Sequence, residues 1–455
     1  MSDLGMGLPL EELRELIAAR ALGAIHQHLS GYHPSDLADL LEELEEDERR
    51  QVLVALAPTP ALAAEALAEM EWEEHPEESL AALAPTEIAH LVAQLSDDDA
   101  ADIIGELEPA DQERVLAALP HLDAGDIRDL LSYDEESAGG LMTTELVAVD
   151  ERLTAAEAIE EVRRQAQEVG EFYSVFVIDP DRRLCGTLPL QSLVTAAPGQ
   201  RIRDLVEPIV VSVAADTDQE EVGRLLSRYN LVAVPVVDAA GRLLGRITFD
   251  DVIDVIEAET TEDILRFAGT SDEEELRGDW QGAVRSRFPW LVINLATAFA
   301  AAAVYKPFSD AIGAIPMLAG AATVVAGMGG NGATQTLAVT VRRLALNHGA
   351  VRDRPGIVAK EILVGLVNGA GNGLIAGATV ALFGELLHYP PALGVIVTLA
   401  MLGNLVIAGF AGSLVPIAME KFGVDPAIAS TVIVTTFTDM GGFFLTLYLA
   451  TALLL

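Results

Sequence analysis

The formal charge of −42 lies wholly before Phe288, because from there to Leu455 seven acidic residues are balanced by seven basic ones. That split allows few architectures: an acidic part that seeks water is joined to a neutral part too apolar for an ordinary soluble core. Uncharged stretches run from Phe288 to Tyr305, Ala311 to Val341, Ile362 to Gly384 and Tyr389 to Met419, and a fifth, Ala427 to Leu455, is broken only by Asp439. About 20 apolar residues cross a bilayer core, so residues 285–455 are expected to form an all-α transmembrane domain of five helices.

Arginine and lysine set the orientation. Arg285 and Arg287 precede the first stretch, and Arg342, Arg343, Arg352, Arg354 and Lys360 follow the second, which places both ends on the cytoplasmic side. The opening MSDLGMGLPLEELREL has no basic segment followed by an unbroken apolar one, so no cleaved signal is expected. The expectation is an integral protein of the plasma (inner) membrane, with cytoplasmic N-terminal domains and the C-terminus outside.

Asp439 stands near the middle of the last span, where an unpaired ionised carboxylate costs at least about 2.5 kcal/mol. No Arg or Lys lies in any of the five stretches, so a bound or conducted cation is the most economical partner. The second stretch contains GMGGNGATQT, whose glycines make a regular helix costly and would bare backbone carbonyls, with Asn331 and Gln335 adding side-chain oxygens. An oxygen-rich site of this kind suits a hard cation. In the third stretch Gly365, Gly369, Gly373 and Gly377 recur every fourth residue, which strips one helix face for close packing, with Asn368 and Asn372 on the adjacent face.

The first part subdivides. Residues 1–135 repeat a helical pattern, as in DLADLLEEL, EIAHLVAQL, DAADIIGEL and DQERVLAALP, each run ended by Pro, Ser or a charged turn; they read as an all-α domain of short stacked helices. From Leu141 the pattern changes to short β runs between helices, twice over, with Asp179 and Gly186 recurring as Asp238 and Gly245. Residues 136–198 and 199–257 are thus two copies of one α/β module. An acidic helix follows at 258–284, with Asp254, Glu257, Glu259, Glu262 and Asp263 leading into and along it. The only cysteine, Cys185, is expected in a buried strand.

A surface this acidic argues against nucleic acid as a partner, since phosphates would be repelled. Divalent cations are its natural partners, although excess carboxylate also serves solubility alone. No Ser/His/Asp grouping, Walker loop or His-rich metal motif points to an enzyme.

The two α/β copies resemble a tandem pair of CBS domains, most specifically in VVDAAGRLLGRITFDDV. That likeness implies metal or adenine-nucleotide binding such as ATP, with Thr248 and Asp251 at the ribose; Pro189 and Ser192 take those places in the first copy. With the acidic helical head, the connector, the GGN…Q segment and TDMGGFF around Asp439, nearly the whole chain resembles the MgtE family of magnesium channels. The resemblance implies a homodimer in membrane lipid with its pore on the two-fold axis, and Mg²⁺ as both substrate and regulator. Asp439, Asn331, Gln335 and Gly330 would line the pore. Regulatory metal would be held by Glu65, Asp98 and Asp102 in the head, Glu220, Asp251 and Asp254 in the second copy, and Glu259, Glu262 and Asp263 in the connector. An ion-coupled secondary transporter of divalent cations is the alternative to a channel.

Overall fold

The computed structural model describes residues 10–70, 80, 83–120, 123–167, 169, 172–268, 280–345, 354–386, 388–422, 424 and 430–455. The middle of the expected connector, 269–279, and the basic loop at Arg352 lie outside the described residues. The chain divides into two compact units between Glu259 and Thr260.

In the first unit the head contains short helices α1 (Leu10–Ala18), α2 (Leu22–Leu29), α3 (Pro34–Glu42), α4 (Glu46–Ala55), α5 (Pro60–Ala68), α6 (Pro85–Val92), α7 (Asp97–Gly105), α8 (Pro109–Ala118) and α9 (Asp123–Leu130). The prolines expected to end these runs instead begin the next helix at Pro34, Pro60, Pro85 and Pro109. At the first helical position proline gives up an N–H that has no intrahelical partner and arrives with φ already set. The buried guanidinium of Arg49 donates from Nε to the carbonyls of Leu41 (2.8 Å) and Leu44 (3.0 Å), which closes the end of α3.

Each α/β copy is a three-stranded sheet with one parallel and one antiparallel pairing. The first contains β1 (Ala148–Asp150), α10 (Ala155–Gln165), β2 (Ser174–Ile178), β3 (Leu184–Pro189) and α11 (Leu190–Thr195); the second contains β4 (Val213–Ala214), α12 (Gln219–Tyr229), β5 (Ala233–Val237) and β6 (Leu243–Thr248). The repeated aspartates make the same turn, for Asp179 accepts from the N–H groups of Asp181 and Arg183, and Asp238 from those of Ala240 and Arg242. The tips carry left-handed residues at equivalent places, Arg182 and Gly241.

The repeated glycines mark a cross-brace. Thr143, in the segment of the first copy that leads into β1, pairs with Arg246 in the second copy's β6; Glu207, in the segment of the second copy that leads into β4, pairs with Thr187 in the first copy's β3. A Cβ on Gly245 would lie 2.6 Å from the Thr143 carbonyl oxygen, and one on Gly186 2.5 Å from that of Glu207, so only glycine admits the crossing strand at either place. Cys185 is exposed, against expectation. Gly186 and Leu188 take the inward face of β3, and the two-residue strand period turns Cys185 outward.

Burial joins the head to the second copy. One continuous apolar cluster runs from Leu13 and Leu56 through Ile104 and Leu130 to Val222, Val234, Ile247 and Val252, whereas the first copy has its own core around Val149, Val175 and Leu188. Helix α13 (Phe249–Ala268) then continues past the boundary between the units.

The second unit is helical: α14 (Trp280–Ala302), α15 (Ser309–Ala314), α16 (Met317–Ala345), α17 (Arg354–Leu386), α18 (Ala392–Lys421) and α19 (Ser430–Leu454). Among the described residues four segments, 280–314, 354–384, 392–421 and 431–454, are long and apolar enough to cross a membrane. Helix α16 has the length, 29 residues, but its GMGGNGATQT segment lowers its apolar character. The glycine ladder of α17 packs on α18 as its spacing predicts: Cβ atoms on Gly369 and Gly373 would lie 2.8 Å from Leu402 Cα and 2.7 Å from the Thr398 carbonyl oxygen. Asn372 turns back on its own helix, donating to the Asn368 carbonyl at 3.0 Å.

Candidate metal-responsive cluster and membrane carboxylate

Three aspartates open α7 behind Ser96, where the helix dipole favours negative charge. Their fates differ. Asp97 is fully engaged, accepting from the Thr144 N–H (3.0 Å) and from the hydroxyls of Thr143 and Thr144. Asp99 accepts from Ser96 Oγ at 2.7 Å. Asp98 is buried, and its Oδ1 has no hydrogen-bond partner among the described residues.

Asp98 lies in a field of like charges. Burial, then Asp99 and Asp251, hold its carboxyl well above the usual carboxylate range. Asp102, one turn on, is pushed up to about 7, chiefly by burial and then by Asp99, Glu135 and Asp251. From the second α/β copy Asp251 is pushed up to about 6 by burial, a rise that hydrogen bonds from the Thr248 hydroxyl (2.7 Å) and N–H (3.2 Å) moderate. Asp254 is raised by burial and by Glu69, Glu257 and Asp250. A second group follows along α13, where Glu259 is raised by burial and by Glu220, Asp218 and Glu136, against a hydrogen bond from Gln219.

Asp98 and Asp102 thus feel the charge of Asp251, Asp254 feels Asp99 and Glu69 at the same junction of head and second copy, and Glu259 feels Glu220. Glu65 is exposed on α5, and it is Glu69, one turn later, that contributes to raising Asp99 and Asp254. Glu262 is paired with Arg266 on its own helix, and the side chain of Asp263 lies outside the described residues. Sequence reasoning missed Glu69, Asp99, Asp250, Glu135, Glu136 and Asp218. The signal was the runs DDD and FDD, whose neighbouring acids share a helical turn with the residues chosen.

Among the described residues no three His, Cys, Asp or Glu side chains are arranged to hold a metal ion directly. An all-oxygen donor set of mutually repelling carboxylates, one with a buried unpartnered oxygen, instead fits a hydrated hard cation such as Mg²⁺, which gives up its waters reluctantly. Near this cluster a cavity of about 190 Å³ is lined by Tyr173, Ser174, Phe176, Val232, Ala233, Thr248, Phe249 and Asp250. Thr248 and Asp250 line the cavity, while Asp251, expected beside Thr248 at a ribose, does not line it and instead accepts hydrogen bonds from Thr248.

In the helical unit α16 runs unbroken through GMGGNGATQT, contrary to the break its glycines suggest. Each glycine costs about 1 kcal/mol of helix propensity, and at two of them close contact offsets it: a Cβ on Gly332 would lie 2.6 Å from Leu405 Cδ2, and one on Gly329 3.2 Å from Thr438 Cβ, whereas nothing lies within 4 Å of one on Gly327 or Gly330. Asn331 and Gln335 are exposed on one face of α16, and Gly330 is half-buried. Asp439, adjacent to Thr438, is half-buried and has no hydrogen-bond or charged partner among the described residues.

The order of these parts is found in known proteins. The chain is 36% identical over 448 residues to the magnesium transporter MgtE of Thermus thermophilus, with 97% of each chain covered. The chain belongs to the MgtE family. Its MgtE intracellular N domain spans residues 32–136, its CBS domains 138–199 and 202–258, and the part described as an MgtE divalent cation transporter 322–449. The MgtE of Bacillus subtilis is 28% identical over 422 residues, covering 92% of this chain and 91% of that one. A solved cytosolic domain of the Mg²⁺ channel MgtE in complex with ATP is 38% identical with a TM-score of 0.50, covering 55% of this chain and all of that one. The MgtE family places Asp439 in its transporter part, and Asp98 and Asp251 in its N domain and second CBS domain.

Proposed function

We propose that this chain is a magnesium channel that works as a homodimer and is closed by cytoplasmic Mg²⁺. One observation carries the reading: Asp439 sits in a membrane-length helix with no partner among the described residues, so a passing cation is what compensates its charge. Five crossings, with α16 as the one least apolar by composition, put the N-terminal domains in the cytoplasm and Leu455 outside. Two copies of α16 and α19 about a two-fold axis would surround one path, where Asp439 sets the charge while Gly330, Asn331 and Gln335 bind the waters of the hydrated ion.

Control follows from the carboxylate cluster. At low Mg²⁺ the acids around Asp98, Asp102, Asp251 and Asp254 repel and loosen the head; at high Mg²⁺ hydrated ions bridge them and favour the closed state. Glu220, Glu259, Glu262 and Asp263 extend that control along α13, with Glu65 at the margin. Within the helical unit the end of α13 meets α19, where the Thr431 hydroxyl donates to the Phe267 carbonyl at 3.0 Å. An adenine nucleotide such as ATP at the cavity beside Thr248 would tune the same equilibrium.

Growth of a magnesium-transport-deficient host tests transport: rescue by the wild type and none by Asp439→Ala is expected. Single-channel currents in planar bilayers separate the channel from an ion-coupled transporter, which would need a counter-ion gradient. In patches, Asp251→Ala/Asp254→Ala/Glu259→Ala should conduct yet resist inhibition by cytoplasmic Mg²⁺. Unchanged inhibition overturns the gating scheme.

A further inference from the structure

Asn404 in α18 is fully buried and lies where α16, α18 and α19 meet. Its Nδ2 donates to the Val325 carbonyl of α16 at 2.9 Å, while its Oδ1 is buried without a partner among the described residues. That carbonyl accepts, so the amide is oriented with its nitrogen toward α16. Glycines surround it. A Cβ on Gly442 would lie 2.9 Å from Nδ2 and 2.7 Å from Ala326 Cα, one on Gly441 would lie 3.1 Å from Oδ1, and one on Gly329 would overlap Nδ2.

A polar wedge of this kind is a poor choice for packing alone. Leucine would fill a comparable volume with no stranded oxygen, and an interhelical amide kept only as glue would have both ends satisfied. The three glycines let the backbones of α16 and α19 close directly on the carboxamide, so its thickness sets their separation. Asp439 is three residues before Gly442 and follows Thr438, whose Cβ would lie 3.2 Å from a Cβ on Gly329. The level at which Asn404 spaces the two helices is therefore the level of the membrane carboxylate.

We propose that Asn404 is a positioning residue for ion passage, a spacer that sets the distance between Asp439 on α19 and the Gly330–Asn331 face of α16. It acts through the two helices and not by touching the ion. The inference rests on the reading of Asp439 as a pore carboxylate.

The test uses full-length protein in liposomes, with Mg²⁺ entry followed by an internal Mg²⁺-sensitive dye, Ca²⁺ as competitor, and thermal stability measured in parallel. Asn404→Leu is expected to stay folded while Mg²⁺ entry falls, or discrimination against Ca²⁺ falls, by about tenfold or more, within the roughly 100-fold that a 1 Å misplacement can cost a preorganised site. Gly329→Ala should lose stability by pressing on the amide. Gly329→Ala/Asn404→Ala should recover that stability without recovering Mg²⁺ entry, a split that a purely structural residue would not give. Wild-type entry and discrimination in Asn404→Leu overturn the proposal; should that variant fail to fold, recovery of entry together with stability in the double variant overturns it. Asp439→Asn serves as reference. If it leaves entry intact, the pore reading itself fails; if it abolishes entry while Asn404→Leu changes nothing, only the spacer fails.

Discussion

Replacing Asp102 by Asn removes one charge from the head's carboxylate cluster and little volume. Asp102 is pushed up to about 7 from an ordinary 3.8 by burial and by Asp99, Glu135 and Asp251. Keeping it ionised near pH 8 in the docked arrangement costs at most about 4 kcal/mol relative to the free side chain. Because the residue is only half-buried, screening reduces this to about 1–2 kcal/mol. The sign follows from the raised value. Its contribution is fully favourable below about pH 4 and is lost as pH rises through about 7, so the metal-free unit should weaken across that window. Asp102→Asn in residues 1–259, the unit with its own apolar cores, should flatten that decline and raise the midpoint near pH 8 by about 2–8 °C without Mg²⁺. Added Mg²⁺ should stabilise the wild type more than the variant, because the ion relieves the repulsion that the amide has already removed. Thermal unfolding followed by circular dichroism, at two pH values with and without Mg²⁺, reads all of this. A lower midpoint for the variant near pH 8 without metal, or an equal gain from Mg²⁺ in both proteins, would refute the reasoning.

Asp97→Ala should destabilise the same unit by about 2–3 kcal/mol at every Mg²⁺ concentration, because it strands the Thr144 N–H and two hydroxyls rather than relieving repulsion; the Mg²⁺-dependent part of the melting curve should survive. Gly369→Val should abolish recovery of folded protein from membranes, since even a Cβ there meets Leu402 Cα at 2.8 Å and neither backbone yields without overpacking strain of about 1–3 kcal/mol or more; size-exclusion profiles decide it. Tyr173→Ala should weaken any ATP binding to the cytoplasmic unit by about tenfold through loss of an aromatic wall of the cavity; calorimetric titration with an unchanged isotherm would remove that cavity from consideration.

Periodicity and charge made much of this chain legible. Alternating and helical apolar patterns foretold the head, the duplicated module and the α17 ladder, because each depends on near neighbours in sequence. Asp179 and Asp238 announced their turns for the same reason. What escaped depends on long-range contact. The glycines of α16 suggest a broken helix when counted alone, yet the helix runs on, and Asn404, Leu405 and Thr438 fill the space that Gly329 and Gly332 leave. Prolines at 34, 60, 85 and 109 start helices, which only the position of the preceding turn reveals. In the cluster, Asp98 and Asp251 could be named by resemblance, but the part played by Glu69 and Asp250 emerges only when the head packs on the second module. Cys185 was misplaced by a strand phase that shifts every side chain if read one residue off.

The reciprocal pairing of Thr143 with Arg246 and Glu207 with Thr187 gives the duplicated module the character of two hooked fingers. Neither half can turn without pulling the strand that introduces the other. A first copy with Pro189 and Ser192 in place of Thr248 and Asp251 therefore still bears on whatever the second one binds, as the counterweight against which that half moves.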